Sequence, residues 1–157
     1  MSFSTFSGPI RSGTVREGAG RNTGLVNLSQ SYDTGDLTGT IVGNVDTASF
    51  IIPRGSQIID IVVDQVVAAT AGTTTISVGN ASGGAQLMAA IATTAGGRFR
   101  GTATAATQLA WQTSTTADTT IYVRVAVATA TLTAGRAIVT VVYAQRADNG
   151  AQNPASA

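Results

Sequence analysis

Asp60 and Asp64 lie four residues apart in a run of alternating apolar residues, so a strand would carry both carboxylates on one face. Paired carboxylates serve glycoside hydrolysis and, with further oxygen ligands, calcium binding. Glycoside chemistry wants the pair flanking a cleft, with aromatic platforms for the sugar, and the chain has one tryptophan, Trp111. The two aspartates read instead as solvent-facing strand charges that discourage edge-to-edge pairing. A second acidic pair, Asp33 and Asp36, offers oxygens to calcium but lacks EF-hand spacing, and Asp beside Gly is ordinary turn chemistry. The stretch Gly18-Ala19-Gly20-Arg21-Asn22-Thr23-Gly24 has neither the glycine spacing nor the strand–helix setting of a dinucleotide loop. Arg98 and Arg100 bracket Phe99, a basic–aromatic cluster of the kind that grips single-stranded nucleic acid. Such binding needs many charges and several rings, whereas this chain is 5% aromatic with a net charge of +1, so a surface hairpin or protein contact is the better reading. Trp111 is expected in the core or at a subunit interface, and Tyr122 and Tyr143 on strands.

What the composition omits is as informative. The chain has no His and no Cys, and its nine basic residues are all Arg, so Lys is absent too. There is then no imidazole base for a Ser-His-Asp arrangement, no thiolate nucleophile, no His/Cys zinc site, no Schiff-base lysine and no phosphate-loop lysine. The expectation is a protein that is not an enzyme and holds neither cofactor nor metal. A net charge of +1 gives no global drive toward nucleic acid or an anionic membrane, and no apolar run reaches the roughly 20 residues of a spanning helix. The opening residues lack a signal peptide's basic start and apolar stretch, so synthesis and folding in a cytoplasm are expected.

The elements that would position these residues are strands. Ile121, Val123, Val125 and Val127 alternate with Tyr122, Arg124 and Ala126, the period of two that marks a half-buried strand. In 57–67 the same period puts Ile59, Ile61, Val63 and Val67 on one face and Ile58, Asp60, Val62 and Asp64 on the other. Thr74, Ile76 and Val78 make a shorter strand, and 137–144 is apolar on both faces, as in a covered central strand. Weaker strands are expected at 25–32, 37–42 and 48–52. Helix is suggested at 85–92, from Leu87, Met88 and Ile91, and in a turn at 105–111. Ala and Thr supply about a third of the chain, and Val, Ile and Thr crowd the strands, where β-branched side chains suit a pleated surface. About eight to ten strands with glycine-rich turns make an all-β protein, an antiparallel β-sandwich or jelly roll. No internal repeat suggests a propeller or β-helix.

The N-terminal residues differ. Positions 1–24 are rich in Ser, Gly and Arg, with Arg11, Arg16 and Arg21 against Glu17, and read as an extended arm anchored by Phe3, Phe6 and Ile10. The chain divides into this arm, a β-sandwich body at 25–146 and a tail at 147–157. Arginine is the cation of interfaces, and a body poor in charge suits burial against neighbours.

A family resemblance rests on several segments. Ser7-Gly8-Pro9-Ile10-Arg11-Ser12-Gly13-Thr14-Val15-Arg16 and Leu28-Ser29-Gln30-Ser31 resemble the N-terminal signature of small virion structural proteins of tailed bacteriophages. Ile52-Pro53-Arg54-Gly55-Ser56-Gln57-Ile58-Ile59-Asp60-Ile61 is similar to their central strand, with Arg54 where a small residue is expected. Thr133-Ala134-Gly135-Arg136-Ala137, leading into Val139-Thr140-Val141-Val142-Tyr143, is similar to their final strand. The resemblance covers most of the chain and implies a capsid decoration, or cement, protein. Such a protein is a β-sandwich, commonly a homotrimer, seated on the outer surface of an icosahedral virion and bridging subunits of the major capsid protein. Phe3, Phe6 and Ile10 would then enter shallow pockets of the shell, and Arg11, Arg16 and Arg21 would pair with its acidic groups. No direct nucleic-acid or membrane partner is expected. The alternative is a carbohydrate- or receptor-binding β-sandwich of a phage fibre or baseplate, using Trp111 or Tyr122.

Overall fold

A computed structural model describes residues 26–70, 73–101, 105–113 and 116–145. Eight strands run in chain order: β1 (Val26–Asp33), β2 (Gly43–Ile52), β3 (Gln57–Thr70), β4 (Thr74–Gly79), β5 (Met88–Ala92), β6 (Gly97–Arg100), β7 (Thr119–Val127) and β8 (Ala134–Gln145). A short helix, α1 (Ala105–Ala110), lies between β6 and β7. The strands form two four-stranded sheets, ordered β1-β8-β3-β6 and β2-β7-β4-β5, and every pairing is antiparallel. First pairs with last, second with seventh, third with sixth and fourth with fifth. That is a long hairpin rolled into a sandwich, the winding of a jelly roll.

The core lies between the sheets, where alternate residues of both inner faces meet. Ile61, Val63, Val139 and Val141 of one sheet and Ile76, Val78, Ile121 and Val123 of the other are almost wholly buried. Each such side chain contributes about 1.5–3 kcal/mol relative to leaving it in water. The expected strands at 25–32, 48–52, 57–67, 74–78, 121–127 and 137–144 all form, and β8 is central, paired with β1 on one side and β3 on the other.

Three expectations fail for identifiable reasons. The segment 37–42 is a loop, because Leu37, Gly39 and Thr40 bond across the sandwich end to Gly135 and Leu132 instead of entering a ladder. The segment 85–92 is not helical; its second half is β5. Met88 and Ile91 stand opposite Val78 and Ile76, so three steps on β5 match two on β4, and this bulge imitates helical spacing. In β3 the ladder slips between Ile58 and Asp60 and again between Gln65 and Val67. The extra residues reset the alternation, so Ile58 enters the core while Ile59 and Val67 are exposed. The helical turn at 105–111 appears as α1, and β6 is a strand that alternation over only four residues does not announce.

The β2–β3 connection is the tight turn Pro53–Ser56, closed by the Ser56 N–H on the Pro53 carbonyl at 3.2 Å, with Gly55 at φ +71° in the position that needs a left-handed residue. Arg54 occupies the second position, which accepts most side chains, and its N–H donates to Asp118 Oδ1 at 3.0 Å. The connections β1–β2, β3–β4, β5–β6 and β7–β8 lie at one end of the sandwich. The other end holds β2–β3, β4–β5 and the α1 segment, together with Val26 and Gln145, which are register partners. Val26 and Gln145 therefore stand side by side at one corner.

Candidate interaction surfaces

The outer face of the β1-β8-β3-β6 sheet carries the residues singled out for chemistry. Register sets Asp33, Ile138, Asp64 and Arg98 in one row across the four strands, and Ser31, Thr140, Val62 and Arg100 in the next. Arg98 grips Asp64 with both prongs of its guanidinium, Nε to Oδ1 at 2.6 Å and Nη2 to Oδ2 at 3.1 Å. Arg100 reaches diagonally to Asp60 at 3.4 Å. Arg136 holds Asp33 in the same bidentate manner, at 3.1 and 2.5 Å. The Arg136 bonds, helped by the Gly35 N–H, bring the Asp33 carboxyl down to about 2. Arg98 likewise lowers Asp64, and the Thr38 hydroxyl and N–H lower Asp36. In return, Arg98 and Arg136 are held more firmly in their charged form.

The opposite sheet carries the pair Arg124 with Asp46 on its outer face, at 2.9 and 3.3 Å, and it is more enclosed than the three pairs just described. Arg124 also donates to the Gly83 carbonyl at 3.0 Å, pinning the β4–β5 loop over the sheet. Around this pair the outer face is made of small residues, among them Ala48, Thr75, Ala92 and Ala126, with Tyr122 half-buried.

These contacts decide several earlier readings. Asp60 and Asp64 share a face, as their spacing requires, but each faces an arginine on an open sheet and they flank no cleft. Asp33 and Asp36 are bound by Arg136 and Thr38, and among the described residues no three carboxylates gather as a metal site would need. Arg98 and Arg100 lie on an edge strand at the surface, where both pair with aspartates of β3 and stay largely exposed. Arg124 and Arg136 are likewise paired, so four arginines of the body each face an aspartate of their own chain. Trp111 is core, 7% exposed, and its indole N–H donates to the Leu87 carbonyl at 2.9 Å, which removes it as a sugar platform. Tyr143 is buried, and its hydroxyl accepts from Gln30 Nε2 at 3.1 Å. Phe3, Phe6, Ile10, Arg11, Arg16 and Arg21 lie outside the described residues.

The two flanks of the sandwich differ. One is formed by β5 and β6, of five and four residues, with Arg98 and Arg100 on it. The other is formed by β1 and β2, of eight and ten residues, whose outer edges pair with no further strand among the described residues. This flank is closed midway by the Gln30 amide, which donates to the Ile51 carbonyl at 3.0 Å, and by Tyr32 set edge-on to Phe50. Of nine exposed large apolar side chains among the described residues, five belong to β1, β2 or the loop between them: Leu28, Ile41, Val42, Val45 and Ile51. Apolar spacing alone did not mark this flank, because which strands lie at the edges depends on topology.

Solved structures place the fold. Chains of three bacteriophage capsids share it. One is from the capsid of Ralstonia phage GP4, 21% identical, with a TM-score of 0.55 over 88% of this chain and 93% of that one. Another is from the cyanophage Pam1 capsid asymmetric unit, 19% identical, with a TM-score of 0.54 over 85% of this chain and 94% of its counterpart. The third is from the acidic stable capsid of Helicobacter pylori bacteriophage KHP30, 14% identical, with a TM-score of 0.50 over 78% and 95%. At these identities the likeness is one of fold. No protein-family model and no curated protein matches the chain.

Proposed function

We propose that this chain is a non-enzymatic virion structural protein that decorates the outer surface of an icosahedral phage capsid and stabilises it by bridging major capsid protein subunits. The observation that carries the reading is the match to capsid chains over 93–95% of their own length, which makes this sandwich the counterpart of a whole small capsid component. Two features of the body support it. Four of its arginines are occupied by its own aspartates, so attachment by charge falls to the arm at 1–24. Val26 and Gln145 stand at one corner, so a body standing on that end would present arm and tail to a single surface.

In this reading Phe3, Phe6 and Ile10 seat in apolar pockets of the shell, and Arg11, Arg16 and Arg21 pair with its carboxylates. The body at 25–146 makes a homotrimer, and the tail at 147–157 lies near the shell with the arm. Each exposed ion pair is worth little alone, but several contacts per oligomer multiply the affinity. The test is co-sedimentation of the purified chain with undecorated procapsids and expanded heads, beside a chain lacking 2–24. Saturable binding by the full chain and none by the shortened, folded one is expected. Equal binding by both would refute the arm, and no binding by either would refute decoration.

A further inference from the structure

We propose that the β1/β2 flank is where one copy of this chain meets another. A long, uncovered strand edge is an invitation to pairing, and monomeric proteins guard theirs with short strands, charge, proline or a covering element. The β5/β6 flank is guarded in that way: its strands are short and it bears Arg98 and Arg100. Between them β1 and β2 show eighteen residues of edge without proline or arginine. A bulge at Ser49 is the only irregularity in the β2 ladder. The aspartates of the flank, Asp33 and Asp46, are neutralised by Arg136 and Arg124 of the same chain.

The occupant follows from neutrality taken together with edge length. Charge cancelled from within does not repel a second copy. That holds for both flanks, and among the described residues it is β1/β2 that adds long edge strands and exposed apolar side chains. Ile41 (72% exposed), in the loop before β2, and Ile51 (61% exposed), near the far end of β2, with Val42, Val45 and Leu28, supply the apolar area such a contact would bury. Val26, the first residue of β1, is on this same flank, so the arm at 1–24 joins the body there. Resting on the decoration reading, the symmetry axis would run along the strands, because only then do all arms leave toward one shell.

The experiment is light scattering of the full chain over a wide concentration range, with Ile41→Lys/Ile51→Lys as the test variant. Both side chains point into solvent, so folding is retained, and circular dichroism checks this. Ile59→Lys/Leu109→Lys, exposed apolar positions off the flank, is the control. The expected result is an oligomer for the natural chain and the control, and the 15.7 kDa mass of a single chain for the flank variant. A natural chain that is monomeric throughout, or a flank variant that keeps the oligomer, would overturn the inference. So would a control that dissociates equally. If a monomeric natural chain sediments with shells and the flank variant does not, the flank belongs to the shell instead. Failure of the natural chain to bind any shell would sink decoration and leave the self-contact standing.

Discussion

Asp64 and Arg98 stand directly opposite each other on β3 and β6, thirty-four residues apart in sequence, and the guanidinium contacts both carboxylate oxygens. With Asp60 and Arg100 beside them, they tie a four-residue edge strand to the longest strand of the fold. Like charges set opposite one another on a sheet destabilise it, and opposite charges favour the register that pairs them. Asp64→Arg and Arg98→Asp should therefore each lower the thermal midpoint and speed amide exchange in 97–100. The double reversal should recover most of both losses. Since Arg98 is largely exposed, the shifts should be small and shrink in high salt. A double reversal no better than the sum of the singles would mean that the pair contributes nothing.

The bulge at Ile59 gives a sharper contrast. Ile59 and Ile61 are two residues apart and fall on the same face of an ideal strand, yet Ile59 is 46% exposed and Ile61 is fully buried. Ile61→Ala should cost about 2–5 kcal/mol, the range for truncating a buried isoleucine. Ile59→Ala should stay within about 0.5 kcal/mol. Denaturant unfolding of both variants checks this, and similar losses at the two positions would place the bulge elsewhere.

That contrast also shows how far local pattern reaches. The strands β7 and β8 were legible because each keeps strict alternation or apolarity on both faces through its length. Ile59, Val67 and the helix expected at 85–92 were misread for one reason: an inserted residue shifts phase, and period-counting cannot see a bulge that only the partner strand defines. The same limit applies to the charged face. Asp60 with Asp64, and Arg98 with Arg100, each stood out as a local cluster. That they answer one another depends on β6 folding back beside β3, which is topology rather than periodicity. The unguarded β1/β2 flank was hidden for the same reason, since edge and centre are properties of the sheet.

Acid should destabilise the fold and neutral pH should be unremarkable. Asp33, Asp36 and Asp64 have folded pKa values below the ordinary carboxylate value, Asp33 at about 2. The folded state therefore binds fewer protons than the unfolded chain as the pH falls. The stability these groups contribute is complete above about pH 5 and is lost progressively toward pH 2. With neither His nor Cys, no side-chain type ordinarily titrates between the carboxylates and the tyrosines. Thermal midpoints should be level from about pH 5.5 to 9 and fall progressively below about pH 5. A transition near pH 6–7 would contradict this.

Trp111 reports on the core from a position no other residue duplicates. It is the only tryptophan, it is buried, and its N–H satisfies the Leu87 carbonyl just before β5 begins. Its fluorescence should be blue-shifted, poorly quenched by iodide and unmoved by added glycans, since no face of the ring is offered to a sugar. Trp111→Phe removes the donor and leaves the Leu87 carbonyl unpaired, a penalty of about 1–3 kcal/mol, to which the lost ring area adds. The loss should appear in denaturant midpoints while the chain stays folded and keeps its oligomeric state, because Trp111 lies away from the β1/β2 flank. Ready quenching by iodide, or a glycan-induced shift, would put the ring at the surface and revive the carbohydrate-binding alternative.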